Sequence, residues 1–491
     1  MNLSGVLNSA RSALDAATAQ TALVSRNIAG ASDAGYSRKS IETGYGAAGL
    51  ARAEIRRAQS PGLAGELVRT TAKAAADSSG LDILTRLRGL FGGIDAELSP
   101  GQGIGVLGQT LSAAAADPSD PVMAARAVAA ASDLASGIRA MATGVASVRS
   151  DIEQALAGHA DTLNGLLQRF EGINSRVVNG SHAGADTTDL QDERDGLLRQ
   201  MSDIIGVSAI RRGDNDMVLQ TDGGVVLFET RARPVSYAPA EPLVPGAPGG
   251  RFLVDGVAVA GPGAVMASTG GAVAGLVAVR DGAAASLETR LDETARGLIM
   301  AFRESDRSVP STLPDIAGLF TDGGSASLPA TGGVVAGLAQ RLTVAASVDP
   351  ARGGNAMLLR DGGIGAPGNP AYVANAGGAS AFPDRLVALA AALETPQGFD
   401  GAAGLGDSRS VSDFAVRMFA AFEDSRQSTT ASAEFSGAVS QRAADALTAE
   451  TGVSLDAEMS RLLEIEQAYG ASARLIATVG TMFDTLMAAV R

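Results

Sequence analysis

The chain has no cysteine and no tryptophan, two histidines, two lysines (Lys39 and Lys73) and only 4% aromatic residues. Without cysteine there can be no disulfide, no thiolate zinc site and no cysteine nucleophile. A net charge of −14, with arginines scattered among acids, argues against nucleic acid or an anionic membrane surface as a partner, since both need clustered cations. No apolar run approaches the roughly 18 residues needed to cross a bilayer as a helix, so membrane insertion is not expected. Met1–Gln20 lacks a basic segment followed by an apolar one, so no ordinary cleaved signal peptide is visible. A secreted chain of this kind would need another export route.

Recognisable catalytic chemistry is equally scarce. Gly103-Ile104-Gly105-Val106-Leu107-Gly108 matches GxGxxG, but Ser99-Pro100-Gly101 before it is no strand, so it reads as a glycine-rich loop opening a helix. His159 and His182 have no partners at metal-ligand spacing and read as exposed polar residues. Asp192/Glu193/Asp195 and Asp456/Glu458 lie beside Arg194 and Arg461 on helices, as solvated charge pairs would. There is no GxSxG and no phosphate-binding GxxxxGK[ST]. No catalytic, metal or cofactor residue is expected, and the chain is not expected to be an enzyme. A hydrolase with its catalytic module in residues 207–400 is the rival from another class, and a soluble coiled-coil adaptor is a third reading.

What the sequence does have is helical patterning at both ends. Leu3, Leu7, Ala10, Leu14, Ala17, Thr21, Val24 and Ile28 recur at steps of four and three, a heptad seam held for about four repeats. Gly30 and Gly35 end it. Near the other terminus Leu455, Met459, Leu462, Tyr469, Ile476, Phe483 and Leu486 repeat the pattern. Narrow apolar seams suit a coiled coil better than a globular core. The bland reading is that the two helices only pair with each other. The sharper one is that they assemble with neighbours through Leu3, Leu7, Leu14, Val24, Ile28, Leu455, Leu462, Tyr469, Ile476, Phe483 and Leu486.

Residues 60–206 read as helix almost throughout. Asp120-Pro121 opens one helix to about Met141, a second runs through Ile152 to Val177, a loop follows around Gly180 and Gly184, and Asp189–Ile205 is a third. The texture then changes. Val207–Arg211, Met217–Gln220 and Val225–Phe228 read as strands, and Asp255-Gly256 between Phe252–Val254 and Val257–Val259 is a hairpin signal. A helix is expected from about Ser286 to Arg303, weakly patterned chain to about Ser380, and helix again from Ser410 to Ala449. The expected fold is α+β, elongated and multidomain. Residues 1–45 and 453–491 would form a discontinuous terminal coiled-coil domain. Residues 46–206 and 405–452 would form a discontinuous long-helix bundle. Residues 207–404 would be a β-rich insert with a helix near 275–303.

Several stretches resemble the axial proteins of the bacterial flagellum. Asn27-Ile28-Ala29 followed by Gly35-Tyr36-Ser37-Arg38 resembles the end of their first helix. Asp189-Leu190-Gln191-Asp192-Glu193-Arg194-Asp195 with Leu197-Leu198 resembles, more specifically, a helix of the hook-associated proteins. Leu276, Arg280-Asp281 and Leu291-Asp292 fit the same family, as do Gly452–Glu458, Gln467-Ala468-Tyr469 and Phe483-Asp484-Thr485-Leu486. Gly30, Asp33, Ala34 and Ser454 depart from the usual pattern, and about 305–400 match poorly. The resemblance implies a structural subunit at the hook–filament junction, or another axial protein such as flagellin or the second junction protein. Such a subunit passes through the flagellar type III export channel and works outside the cell. Its partners would be copies of itself, the hook protein, the second junction protein and an export chaperone at the C-terminal helix. Its terminal helices would stay disordered until assembly folds them.

Overall fold

The computed structural model describes residues 3–33, 35–45, 51–92, 96–240, 243–330 and 332–489. The fold is α+β, with long helices and small antiparallel sheets. Helix α1 (Leu3–Gly30) is followed by a hairpin, β1 (Lys39–Tyr45) with β2 (Ala51–Arg57), in which Lys39 faces Arg57 and Ile41 faces Ile55. The hairpin is a feature the sequence reading did not anticipate, and a domain boundary at 45/46 would separate its two strands.

Helices α2 (Pro61–Gly89), α3 (Pro100–Ala116), α4 (Pro121–Ala183) and α5 (Thr188–Ile204) then build the bundle. Asp120 caps α4 as expected, its carboxylate accepting from the Val122 amide at 2.7 Å, with Pro121 in the first turn. The two helices expected between 120 and 177 are one helix of 63 residues. The helix expected to end at about Met141 runs on, and Gly144 just beyond is packed: a Cβ there would lie 2.8 Å from Leu90 Cδ2. Tertiary packing overrides the low helix propensity of glycine. Gly180 also lies inside α4, and the turn comes at Gly184, whose left-handed φ of 65° ends the helix. The GxGxxG segment is likewise interior to α3 and not a loop; a Cβ on Gly103 would meet Leu134 Cδ1 at 2.8 Å.

Strands β3 (Val207–Arg211), β4 (Met217–Thr221) and β5 (Val226–Phe228) form one three-stranded sheet. A second comprises β6 (Val235–Ala238), β7 (Arg251–Val254) and β8 (Val257–Ala260). Asp255 (φ 50°) and Gly256 (φ 79°) make the expected tight turn. Strand β6 adjoins the Pro/Gly-rich stretch and carries no alternating signal of its own. The next helix starts earlier than expected: α6 (Gly271–Ala278) passes through a π-helical turn, Val279–Ala284, into α7 (Ala285–Ala301).

Beyond it the chain forms short pieces: β9 (Phe320–Asp322), α8 (Leu338–Arg341), β10 (Leu342–Val344), α9 (Leu358–Asp361), α10 (Asp384–Ala392), β11 (Gln397–Gly398) and β12 (Ser408–Arg409). Helices α11 (Val411–Thr451) and α12 (Leu455–Ala489) close the chain. Helix α11 returns along α2 and places Phe419 and Phe422 against the Phe91 ring at 5.0 and 5.3 Å.

One continuous apolar core runs from Ile83 through α3, α4, α5, both three-stranded sheets and α7 to Phe422. Each fully buried Leu, Ile or Phe in it contributes about 1.5–3 kcal/mol. A separate, small cluster of Ala17, Val24 and Ile465, flanked by Ile28 and Leu462, joins α1 to α12.

Candidate assembly interface and the joint beneath it

Helices α1 and α12 pair along one heptad position each. Ala10, Ala17 and Val24 are buried on α1; Glu458, Ile465 and Val479 are buried on α12. The first set repeats every seven residues and the second at seven and then fourteen, spacings that keep a seam facing its partner; Leu23, beside Val24, is buried as well. The neighbouring heptad position is used far less. On α1, Leu7 and Thr21 are exposed while Leu14 and Ile28 are half-buried. On α12, Leu455, Tyr469 and Phe483 are about half exposed, between half-buried Leu462 and Ile476. Met459, Leu463, Met482 and Met487 widen this apolar surface. The side chains of Leu3 and Leu486 lie outside the described residues. Of the expected interface residues whose side chains are described, the pairing thus buries Val24, half-buries Leu14, Ile28, Leu462 and Ile476, and leaves Leu7, Leu455, Tyr469 and Phe483 exposed along its margin.

With two alanines among the buried residues, this pairing contributes little for helices of 28 and 35 residues. Ser454 opens α12: the Ala457 amide donates to its hydroxyl at 3.4 Å, so the residue that departs from the family's asparagine still caps.

Beneath the pair lies a compact polar joint, where most of the remaining motif residues meet. Asn27, 1% exposed, spans Lys39: its Nδ2 donates to the Lys39 carbonyl at 2.9 Å and its Oδ1 accepts from the Lys39 amide at 3.0 Å. The Tyr36 hydroxyl donates to the same Oδ1 at 3.0 Å. The Tyr36 ring packs against the end of α1, where a Cβ on Gly30 would lie 2.6 Å from it, which accounts for glycine there. The Gly35 amide donates to Asp33 at 2.7 Å. The Ser37 amide donates to Asp192 at 3.4 Å, and the Arg38 amide to the Thr451 carbonyl at 2.8 Å.

The charges of this joint are not the solvated pairs expected from sequence. Lys39, with its side chain fully buried, pairs with Asp189 and, at 3.3 Å, with Asp192. Its ammonium also lies 4.2 Å from the centre of the Tyr36 ring. Arg57 donates to Asp192 at 2.8 Å, to Asp195 at 2.7 Å and to Gln191 at 3.1 Å. Arg26 reaches Asp186 at 3.4 Å and Asp189 at 3.0 Å. Burial pushes the Asp189 carboxyl up, but its hydrogen bond and charge contact with Lys39, then Arg26, bring it below the ordinary range. Burial likewise opposes the charge on Arg57, and the Asp195 carboxylate outweighs it, so Arg57 is held above its ordinary value.

Arg194 faces the other way. It donates to Asn174 Oδ1 at 2.8 Å and to the Asn215 carbonyl at 2.6 Å, tying α5 to α4; burial lowers its pKa to about 10. Sequence reading missed Arg26, Lys39, Arg57 and Asp186, and gave Asp189 and Gln191 no role beyond their place in the resembling stretch. The signal available was the three-residue spacing of Asp186, Asp189, Asp192 and Asp195, which puts neighbouring carboxylates on adjoining helical positions.

Two family comparisons match this architecture. Residues 84–308 match the flagellar hook-associated protein FlgK helical domain, and residues 448–489 match the flagellar basal body rod FlgEFG protein C-terminal domain. The chain thus carries a segment that matches the FlgK helical domain and an end that matches the flagellar rod C-terminal domain. The first match takes in α3 to α7 and both three-stranded sheets; the second is α12 with the end of α11. Among solved structures, the flagellar hook junction protein FlgK from Burkholderia pseudomallei aligns with 18% identity and a TM-score of 0.41, over 55% of this chain and 49% of that one. No curated protein matches the chain.

Proposed function

We propose that this chain is a member of the FlgK family and a structural subunit of the hook–filament junction, exported through the flagellar channel and polymerising outside the cell through α1 and α12. The observation that carries the reading is the half-used seam. Each terminal helix spends one heptad position chiefly on the other and leaves the next at the margin, with Leu7, Leu455, Tyr469 and Phe483 exposed and Leu14 half-buried. Such a row is costly to leave in water and is what a neighbouring helix pair would cover. Neighbours would be copies of the same chain within the ring, the hook protein on one side and the second junction protein on the other. Before export, the same C-terminal surface would suit a chaperone. The role is one of shape and adhesion, with no catalytic step.

The test is incorporation into flagella. A Tyr469→Asp/Phe483→Asp variant changes only exposed positions, so it should keep the helix content and heat stability of the monomer. It should nevertheless be absent from purified hook–filament junctions, and its cells should shed filament protein into the medium. Normal incorporation of that variant would overturn the proposal.

A further inference from the structure

The terminal module (α1, the β1–β2 hairpin and α12) meets the bundle through charge. Its apolar cluster shares no residue with the main core, which begins at Ile83. What bridges the two, among the described residues, is the joint: Arg26 from α1, Lys39 from β1 and Arg57 from β2, set against Asp186, Asp189, Asp192 and Asp195 at and along the start of α5. The cations come from three separate elements of the module, and all four carboxylates come from one ten-residue stretch of the bundle. Asp192 is the centre of this row. It bonds Arg57 through Oδ1 at 2.8 Å, and through Oδ2 it lies 3.3 Å from the Lys39 ammonium and accepts from the Ser37 amide at 3.4 Å.

From this we infer that Asp192 is a positioning residue: it latches the terminal module to the bundle and fixes the angle at which the assembly helices leave it. Other bridges among the described residues are the chain itself, at Ala58-Gln59-Ser60 and at Gly452-Val453-Ser454, the contacts of Arg57 and Gln59 with Gln191, and backbone bonds such as Arg38 to Thr451. Short connections with a few neutral hydrogen bonds can hold two bodies together without fixing their angle. Three cations gripped by four carboxylates can fix it, because each pair constrains a different element of the module. Neutralising Asp192 leaves Lys39 and Arg57, both buried, short of a partner, and an uncompensated buried charge is relieved by opening to water. The surface that opens is polar on both sides, so the module can swing away while its own helix pair and the bundle stay folded. The inference concerns the orientation of the interface proposed above, but it is a property of the single chain and does not depend on polymerisation.

The test reads that angle directly. The chain has no cysteine, so Thr18→Cys on α1 and Ser150→Cys on α4, both exposed, accept a pair of spin labels and nothing else does. Pulsed dipolar spectroscopy on the full-length monomer should give one narrow distance distribution. Asp192→Asn should broaden or shift it with helix content and bundle melting unchanged, and Asp192→Glu should restore it. Asp189→Asn/Asp195→Asn, which spares the central residue, should broaden it partly. A narrow, unshifted distribution in both neutralised variants would show that the angle is set by something other than the charges. A distribution already broad in the parent chain, or melting of the bundle together with the latch, would also overturn the assignment.

Discussion

Asn27 closes a two-way bridge on Lys39, giving a hydrogen bond to its carbonyl and taking one from its amide, at 2.9 and 3.0 Å. A side-chain amide can do this because it carries a donor and an acceptor side by side. The bridge anchors the first strand of the hairpin to the last turn of α1 and sets the buried Lys39 in place.

Asn27→Ala should therefore be costlier than its small change in volume suggests. It orphans two buried backbone groups and the Tyr36 hydroxyl, each worth about 1–3 kcal/mol when left unsatisfied. Asn27→Asp removes only the donor and should fall between. Hydrogen exchange at the Lys39 amide checks this: it should lose protection in Asn27→Ala while amides of α4 keep theirs.

The terminal helices should exchange faster than the bundle in a monomer. Their pairing buries few apolar side chains, whereas α4 buries over twenty residues. Amides of residues 5–25 and 459–485 should lose protection orders of magnitude sooner than those of residues 127–170. Equal protection in a proven monomer would show that the helix pair is complete without neighbours.

Gly80 and Gly275 sit at one crossing of α2 and α6 yet should respond oppositely to alanine. A Cβ on Gly275 would overlap the Ala76 carbonyl oxygen, a backbone atom that cannot move aside, so Gly275→Ala should cost about 1–3 kcal/mol. A Cβ on Gly80 would meet the Val279 side chain at 3.6 Å, an ordinary contact. Gly80→Ala should raise stability slightly, by about 0.5–1 kcal/mol, through the entropy of the unfolded helix segment. Thermal midpoints of the two variants decide it.

Asp292 carries a pH dependence. It is buried on α7, and burial raises its pKa to about 6, against hydrogen bonds from the Gly337 and Ala339 amides at 2.8 Å each. The folded pKa exceeds the unfolded one of 3.8, so this group favours the fold at low pH and loses that advantage as pH rises through 6. The loss is about 3 kcal/mol at most. Asp292→Asn removes the titration. Relative to the parent, its urea midpoint should improve steadily from pH 4 to pH 7; a constant difference would refute the assignment.

The sequence showed clearly those features that are local in origin. The Asp255-Gly256 turn, the Asp120-Pro121 helix start and the strands around Asp222 are set by residues adjacent to them, and they appear where expected. The terminal heptads were legible too, although which half of each seam the partner helix covers was not. That choice depends on the register of α1 against α12, and both heptad positions carry apolar residues. The features missed depend on distant chain. The helix expected to end at about Met141 runs on past Gly144, which packs against Leu90, and β6 has no pattern apart from its pairing with β7. The joint was the largest gap. Gly35, Tyr36, Ser37, Arg38, Asp192 and Asp195 stood out by resemblance alone. Their cationic partners Lys39 and Arg57 could be assigned only once the hairpin brought them to α5.

Helix α4 has a mechanical consequence. Its 63 residues, at 1.5 Å each, make a rod of roughly 95 Å. Asn174 near one end is bonded to Arg194 of α5, the helix that carries the acidic row. Asn164 bonds β6, Glu153 bonds Arg280, and Arg139 near the other end bonds the Leu342 carbonyl. A force applied to the region around Leu342 therefore reaches α5 along unbroken helix between Arg139 and Asn174, roughly 50 Å of it. The moment arm is long and the latch at its foot is small, so modest loads at one end become large torques on the angle of the terminal helices.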